Sequence, residues 1–523
     1  MANAPDRVVL CRSMSAGLVG VEGYVVTVEA AVTLGLPCLT VVGRASGAVC
    51  EARDRVRSAL SHCGHEIKPR KQIVNLAPAD RRKSSTGHDL ALACALLAAH
   101  GIVPEASLEG VMLWAELALD GTLRPAAGAL AVADCAQQAG LRTVVVAPES
   151  LGEATLVAGL EVIGAKTLAE LIAHLRGEVV LSPAQRGPRS GDGAQGPDLA
   201  DVRGLATGRL AIEVMVAGGH NLLLHGPPGV GKTMLARRAG GLFPDLDDAA
   251  AMEVTKIQSV ARGRPPEGMV VRPPVRMPHH TVSSAGLLGG GNPVRPGEVS
   301  MAHRGLLFLD EFPEFARPCI EGLREPIEDG RVSLVRANYA VELPARFQLM
   351  AAMNPCPCGY LGHPERACVD APAAVQRYGG RVSGPLLDRM DLQVAVVPPT
   401  AAELSATTPG PSTQKVRARV EAARARQARR LKGTGWRTNA EIPAAAGAID
   451  ELAAMTPVAA KLMAALAVAR RLSPRAQHRL RRVARTVADL RRPDAPIDEV
   501  IGDQDLAEAA QLRRRPQYAD IAG

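Results

Sequence analysis

The chain has 523 residues, 47% of them apolar, 22% charged and only 2% aromatic. Such a length exceeds one ordinary core and predicts roughly two to four domains, while the apolar share excludes a disordered chain. Its net charge of +8, from 61 bases against 53 acids, favours an anionic partner only mildly, and the scarce aromatics mean a core of Ala, Val and Leu.

The opening residues, MANAPDRVVL, show no basic stretch followed by an apolar one, so no secretory signal is expected. No apolar run reaches the ~18 residues of a membrane span. Seven cysteines are scattered singly (Cys11, Cys38, Cys50, Cys63, Cys94, Cys135, Cys319), which is not a disulfide framework. The expectation is a soluble cytoplasmic protein with no membrane partner.

Short β-rich runs (YVVTVEAAV, LTVVG, QIVNL, RTVVVA) alternate with helical patterns (EARDRVRSALSHCG, DLALACALLAAHG) in the first part of the chain. They predict an α/β domain over 1–180. The Pro/Gly/Ser-rich stretch SPAQRGPRSGDGAQGPD predicts a flexible linker over 181–200. Strands and helices alternate again over 201–400. Over 401–523 the strand signals vanish, and stretches such as VRARVEAARARQARRL predict a helical C-terminal part.

The second α/β region holds the phosphate chemistry. NLLLHGPPGVGKTMLARRA places Gly226, Pro227, Pro228, Gly229, Val230, Gly231, Lys232 and Thr233 between an apolar strand and a helical pattern, as a phosphate-binding loop requires. Glycines let backbone N–H groups face the phosphates, and the helix N-terminus adds its dipole. Lys232 is placed to reach the β- and γ-phosphates and Thr233 to ligate Mg²⁺. GLLFLDEF then reads as a buried strand ending in Asp310, for the Mg²⁺ shell, and Glu311, to polarise the attacking water. RFQLMAAMN is another buried strand, closing on Asn354, which can orient that water or meet the γ-phosphate. GPLLDRMDL offers Arg389 and SPRAQHRL offers Arg475; ordinary surface arginines are the alternative for both. Directly after Asn354 comes NPCPCGYLGHPERACVD. Its Cys356, Cys358 and Cys368 are candidate zinc ligands, with His363 or Asp370 as a fourth, against a reduced loop stiffened by Pro355, Pro357 and Gly359.

In this order, GPPGVGKT, LLFLDEF, AAMNP, SGPLLDRMDL and LSPRAQHRLRRVARTVADL resemble the magnesium-chelatase-like AAA+ ATPases of the ComM/YifB family. The resemblance runs from the first strands almost to the C-terminus. It implies Lys232 and Thr233 in Walker A, Asp310 and Glu311 in Walker B, and Asn354 as sensor 1. It also implies Arg389 as a finger reaching a neighbour's ATP and Arg475 as sensor 2 in a helical lid. The resemblance further implies a ring, a hexamer in this family, with active sites between subunits.

The long gap between Walker A and Walker B fits a helix-2 insertion, and GRVSLVRANYAVELPARF fits a hairpin turning near Ala337 and Asn338. In helicase relatives both touch DNA, which makes Arg272, Arg276, Arg295 and Arg336 candidate phosphate contacts; ordinary solvated charge is the alternative. His279 and His280 are adjacent, so their side chains diverge on a regular element and a metal pair is not expected. Arg470, Arg471, Arg475, Arg479, Arg481, Arg482 and Arg485 crowd one helical stretch, some for solvent and some available to nucleic acid.

The N-terminal part resembles the protease domain of Lon, through KSSTGHDLALACAL and ELALDGTLRPAAGALAVADCAQQAGLRTVVVAP. Gly87 falls at the catalytic serine and Leu130 at the catalytic lysine. Ser84 and Ser85 are close by, but no lysine stands at the partner position. A dyad needs an amine to take the hydroxyl proton, so a proteolytically inactive scaffold is expected. For the whole chain the resemblance implies ATP-driven translocation on branched or single-stranded DNA, promoting branch migration in recombination during natural transformation, alongside recombination proteins. ATP-driven remodelling of a protein and a chelatase-type motor remain alternatives.

Overall fold

The computed structural model describes residues 9–33, 35–43, 47–65, 70–81, 83, 85–186, 189–190, 196–262, 268–291, 294–336, 339–363, 365–405, 409–443 and 447–514. Ser84 and the hairpin turn at Ala337 and Asn338 lie outside these residues.

The N-terminal part is a mixed seven-stranded sheet. Its strands are β1 (Val9–Val19), β2 (Glu22–Thr33), β3 (Cys38–Val42), β4 (Lys71–Ala77), β5 (Val111–Trp114), β6 (Thr143–Val146) and β7 (Glu161–Gly164). They lie in the order β3-β4-β2-β1-β5-β6-β7. β1 and β2 form a long antiparallel ribbon, whereas β5, β6 and β7 run parallel. Helix α1 (Gly47–His62) packs on α2 (Asp89–Ala99), which packs in turn on β1 and β2. Every residue of α2 is buried, in a core that also takes Leu168, Leu171 and Ile172 of α4 (Leu168–Leu175). That is why DLALACALLAA is apolar all round instead of amphipathic. Asp89 at its start is held by two bonds from the Arg55 guanidinium, 2.7 and 3.0 Å.

The second sheet is all parallel. β8 (Leu222–His225) lies between β13 (Gln348–Met353) and β14 (Leu392–Ala395); β10 (Leu306–Leu309) lies beyond β13, and β9 (Val275–Arg276) forms the edge. The four long strands are apolar runs buried almost throughout, as expected of a parallel sheet covered on both faces. β11 (Arg331–Arg336) and β12 (Tyr339–Pro344) make an antiparallel hairpin between β10 and β13. A smaller hairpin, Gly289–Gly290 with Arg295–Pro296, lies between β9 and β10.

The C-terminal part is helical: α8 (Thr413–Arg430), α9 (Pro457–Ala469), α10 (Pro474–Arg491) and α11 (Asp503–Gln511). Helix α5 (Ala206–Gly218) packs against both α8 and α10. Leu222 and Leu224 of β8 therefore share one core with Val420, Leu480 and Leu506.

The segment expected to be a flexible linker is tied down where it is described. Ala184 donates to Val162, Arg189–Ser190 pairs with Met269–Val270, and the Asp198 carboxylate accepts from Thr413. The two sheets' layers also meet directly. On helix α7 (Asp248–Arg262), Ala251 joins a core with Ala133 and Ala136 of α3 (Ala129–Gln138), and Lys256 bonds Asp134 at 2.8 Å.

Candidate active site

The phosphate loop joins β8 to α6 (Lys232–Ala239). Gly229 and Gly231 hold φ of 78° and 97°, in the left-handed region that only glycine enters without strain. Because β8, β10 and β13 are parallel neighbours, the residues that follow their last positions gather at one edge. Sequence-distant groups meet there. The Lys232 ammonium donates to the carbonyls of Gly226 (2.6 Å) and Pro227 (2.8 Å) and to Asn354 Oδ1 (3.0 Å), across 122 positions of chain. Burial pulls its pKa down to about 8, with Asp310 opposing the fall. The Thr233 hydroxyl donates to Asp310 Oδ2 at 2.5 Å.

This arrangement fits ATP and Mg²⁺. A buried ammonium lies within a glycine loop at a helix N-terminus, and the two expected Mg²⁺ ligands already touch. A side chain added at Gly229 would meet nothing within 4 Å, so open space lies beside the loop. Among the expected residues, Gly226, Pro227, Lys232, Thr233, Asp310 and Asn354 are brought together.

Glu311 belongs to the same edge but faces a partner the sequence did not suggest. It sits at φ 51°, and its carboxylate lies 3.0 Å from His280 Nδ1. The His279 ring is tilted against His280 at 4.1 Å between centroids, and Phe315 meets His280 edge-on. His280 is thus set to orient Glu311. The HH dipeptide was the only local signal, and it carried no indication of a carboxylate partner.

Arg389 and Arg475 are not brought to this chain's own phosphate loop. Arg389 precedes β14, at the opposite edge of the sheet, where it pairs with Glu328 at 2.6 Å. It lines a cleft of about 1210 Å³ that also receives Arg304, Arg346, Arg479, Asp391 and Trp436. Arg475 is exposed in the first turn of α10. One turn on, Arg479 pairs with Asp391 at that same far edge.

Most of the remaining candidate arginines are taken up by the fold. Arg276 makes two bonds to Glu298, 2.6 and 2.7 Å, and Arg272 pairs with Asp245. Arg470 bonds the Ala510 carbonyl, Arg481 pairs with Asp450, and Arg485 is buried against Asp489. Arg276, Arg470, Arg481 and Arg485 are structural cations, because a guanidinium already held by two acceptors has few donors left for a phosphate, whereas Arg272 meets its partner through one contact. Arg295 is exposed; the Arg336 side chain lies outside the described residues.

In the N-terminal part, Gly87 lies beneath the Trp114 indole, where an added Cβ would stand 2.5 Å from Cε2. Leu130 is fully buried. Neither position of the Lon-type dyad has a reactive group, and the first has no room for one. Ser85 accepts from the Gly87 amide as a local cap.

Three family profiles match the chain: "Magnesium chelatase, subunit ChlI" over residues 198–404, "Subunit ChlI of Mg-chelatase" over 28–150, and "Magnesium chelatase, subunit ChlI C-terminal" over 410–513. An uncharacterized protein of Mycobacterium tuberculosis is 43% identical over 506 residues, covering 94% of this chain and 97% of its own. YifB of Escherichia coli is 41% identical over 499 residues, 94% of this chain and 95% of its own. Competence protein ComM of Haemophilus influenzae is 37% identical over 501 residues, with the same two coverages. Lon protease 2 of Bacillus subtilis matches 183 residues at 27% identity, 30% of this chain and 32% of its own. The loop, the strand-tip residues and these near-full-length relatives agree: the chain belongs to the magnesium-chelatase-like AAA+ ATPases that include YifB and ComM.

Proposed function

We propose that this chain hydrolyses ATP as one subunit of a homo-oligomeric ring, a hexamer in the family's manner, and couples hydrolysis to translocation on branched or single-stranded DNA. Branch migration during recombination of incoming DNA, with recombination proteins as partners in the cytoplasm, is the role that reading implies. The observation that carries it is the division of the site between two sheet edges. Lys232, Thr233, Asp310, Glu311 and Asn354 gather at one edge, while Arg389 lines a large cleft at the other. A second copy presenting its phosphate loop to that cleft would complete both halves. The ComM relative is a competence protein by name, which supports a DNA client. Arg295, exposed on its small hairpin, is open to meet a DNA backbone in this reading.

Thr233 and Asp310 would hold Mg²⁺, which supplies charge neutralisation along the phosphates when bound. Lys232 binds and orients the β- and γ-phosphates, and Asn354 holds Lys232. Glu311, set by His280, polarises water at its carboxylate. The cofactors of this reading are ATP and Mg²⁺. Proteolysis is not part of it, because neither Gly87 nor Leu130 can supply a dyad.

The test is ATP turnover and strand displacement on single-stranded, forked and three-stranded DNA, with Asp310→Ala as the inactive control. DNA should stimulate turnover and branched substrates should be resolved. No stimulation by any of these forms would transfer the reading to ATP-driven remodelling of a protein, or to a chelatase-type motor.

A further inference from the structure

The loop 355–370 leaves the tip of β13 just past Asn354 and brings three thiols together. Cys356, Cys358 and Cys368 have Sγ···Sγ separations of 3.4, 3.6 and 3.6 Å, a nearly equilateral triangle. A disulfide explains none of these edges, since its sulfurs stand about 2.05 Å apart and it would leave the third thiol over. Tetrahedral thiolates at about 2.3 Å from zinc lie roughly 3.8 Å apart, so a metal would open each edge only slightly. A [4Fe–4S] cluster needs its thiolates much farther apart, because each binds a different iron, and a [2Fe–2S] cluster places only two thiolates on any one iron, not three.

The fourth corner is occupied by a carboxylate. Asp370 closes the group, with one ligand atom from each of the four residues within 4.8 Å of the others. Its Oδ2 accepts the Cys358 N–H at 2.8 Å and stands 3.8 Å from Cys368 Sγ. The Leu361 N–H donates to Cys356 Sγ at 3.3 Å. Such outer bonds orient the ligands of metal centres. His363, the other sequence candidate, is turned away. Its Nδ1 accepts from the amides of Glu365 (3.1 Å) and Arg366 (3.2 Å), and its ring meets Tyr360 edge-on. Among the described residues this is the one group of three or more such side chains arranged to hold an ion.

We infer that Cys356, Cys358, Cys368 and Asp370 form a structural zinc site that braces the phosphate loop. The brace is direct. Cys356 is fully buried in the core that contains Met353 of β13 and Tyr378. Gly359, at φ 85°, lies so close to Pro228 of the phosphate loop that an added Cβ would stand 2.6 Å from its Cδ. The ion would fix Asn354 on one side and Pro228 on the other. Four protein ligands close its shell, so it takes no substrate.

The full-length protein, purified without chelator, should carry about one zinc per chain by elemental analysis. A thiol-blocking mercurial should release it, and Co²⁺ added to chelator-stripped protein should give a thiolate-to-cobalt absorption band. Cys368→Ser should lose the metal and His363→Ala should keep it. Asp370→Cys should keep it and lose it more slowly to chelator than wild type. Stripped protein should bind a fluorescent ATP analogue several-fold more weakly and recover when zinc is restored. Zinc well below stoichiometry together with no cobalt band on wild type would overturn the site, independently of any folding defect in the variants. Full metal occupancy with unchanged nucleotide binding after stripping would overturn the brace. Neither result depends on DNA, so the site can fail while the translocation reading stands.

Discussion

The chain holds two α/β sheets made from similar material, and among the described residues only the second gathers polar groups at an open glycine loop. In the second sheet the glycine loop opens onto space, and Lys232, Thr233, Asp310 and Asn354 turn their polar atoms toward each other. In the first sheet the corresponding position, Gly87, is roofed by Trp114, and the lysine position holds a buried Leu130. Each is a glycine beside a strand and a helix start, yet one frames a binding surface and the other makes room for core packing. A fold therefore preserves a scaffold more readily than a chemistry. What distinguishes the two is whether the neighbouring side chains leave a void and converge polar groups upon it.

The comparison can be broken most decisively at Lys232. Lys232→Ala should reduce ATP turnover to background, by about 10²-fold or more, since it removes the ammonium that the loop and Asn354 hold in place. Residual turnover near wild type, measured by phosphate release, would mean that the second sheet is no more a site than the first. Arg389→Ala should slow turnover by about 10³-fold while nucleotide affinity, measured by fluorescence titration, is preserved. Loss of affinity instead would mean that Arg389 serves its own chain's loop, against its position at the far sheet edge.

For the first sheet the expected effect is on stability. Gly87→Ser should destabilise the N-terminal part by about 1–3 kcal/mol in chemical denaturation, because the new Cβ collides with Trp114. It should gain no peptidase activity, even combined with Leu130→Lys; ATP-dependent casein cleavage by that double variant would show a site merely lacking its residues. The smallest effect is expected at His280. His280→Ala should lower turnover several-fold without changing nucleotide affinity, because it removes the 3.0 Å contact that sets the Glu311 carboxylate. A rise in turnover would show that His280 restrains Glu311 instead.

Much of this molecule was legible in its residues. The α/β, α/β, helical order and the phosphate loop could be read because their signals are local: alternating apolar runs, glycines at fixed spacing, and acidic residues directly after a strand. GPPGVGKT and LLFLDEF carry their chemistry in contiguous residues, so neighbours along the chain are neighbours in the site.

What only the tertiary structure decided is non-local. It bonded Lys232 to Asn354, placed His280 against Glu311, and put Trp114 over Gly87. It also spent Arg276, Arg481 and Arg485 on carboxylates, and turned Asp370 rather than His363 toward the three thiols. The physical reason is the same in each case. The composition declares which groups carry charge or can ligate, but which partner each one meets is set by strand order and helix packing, which bring distant residues within bonding distance.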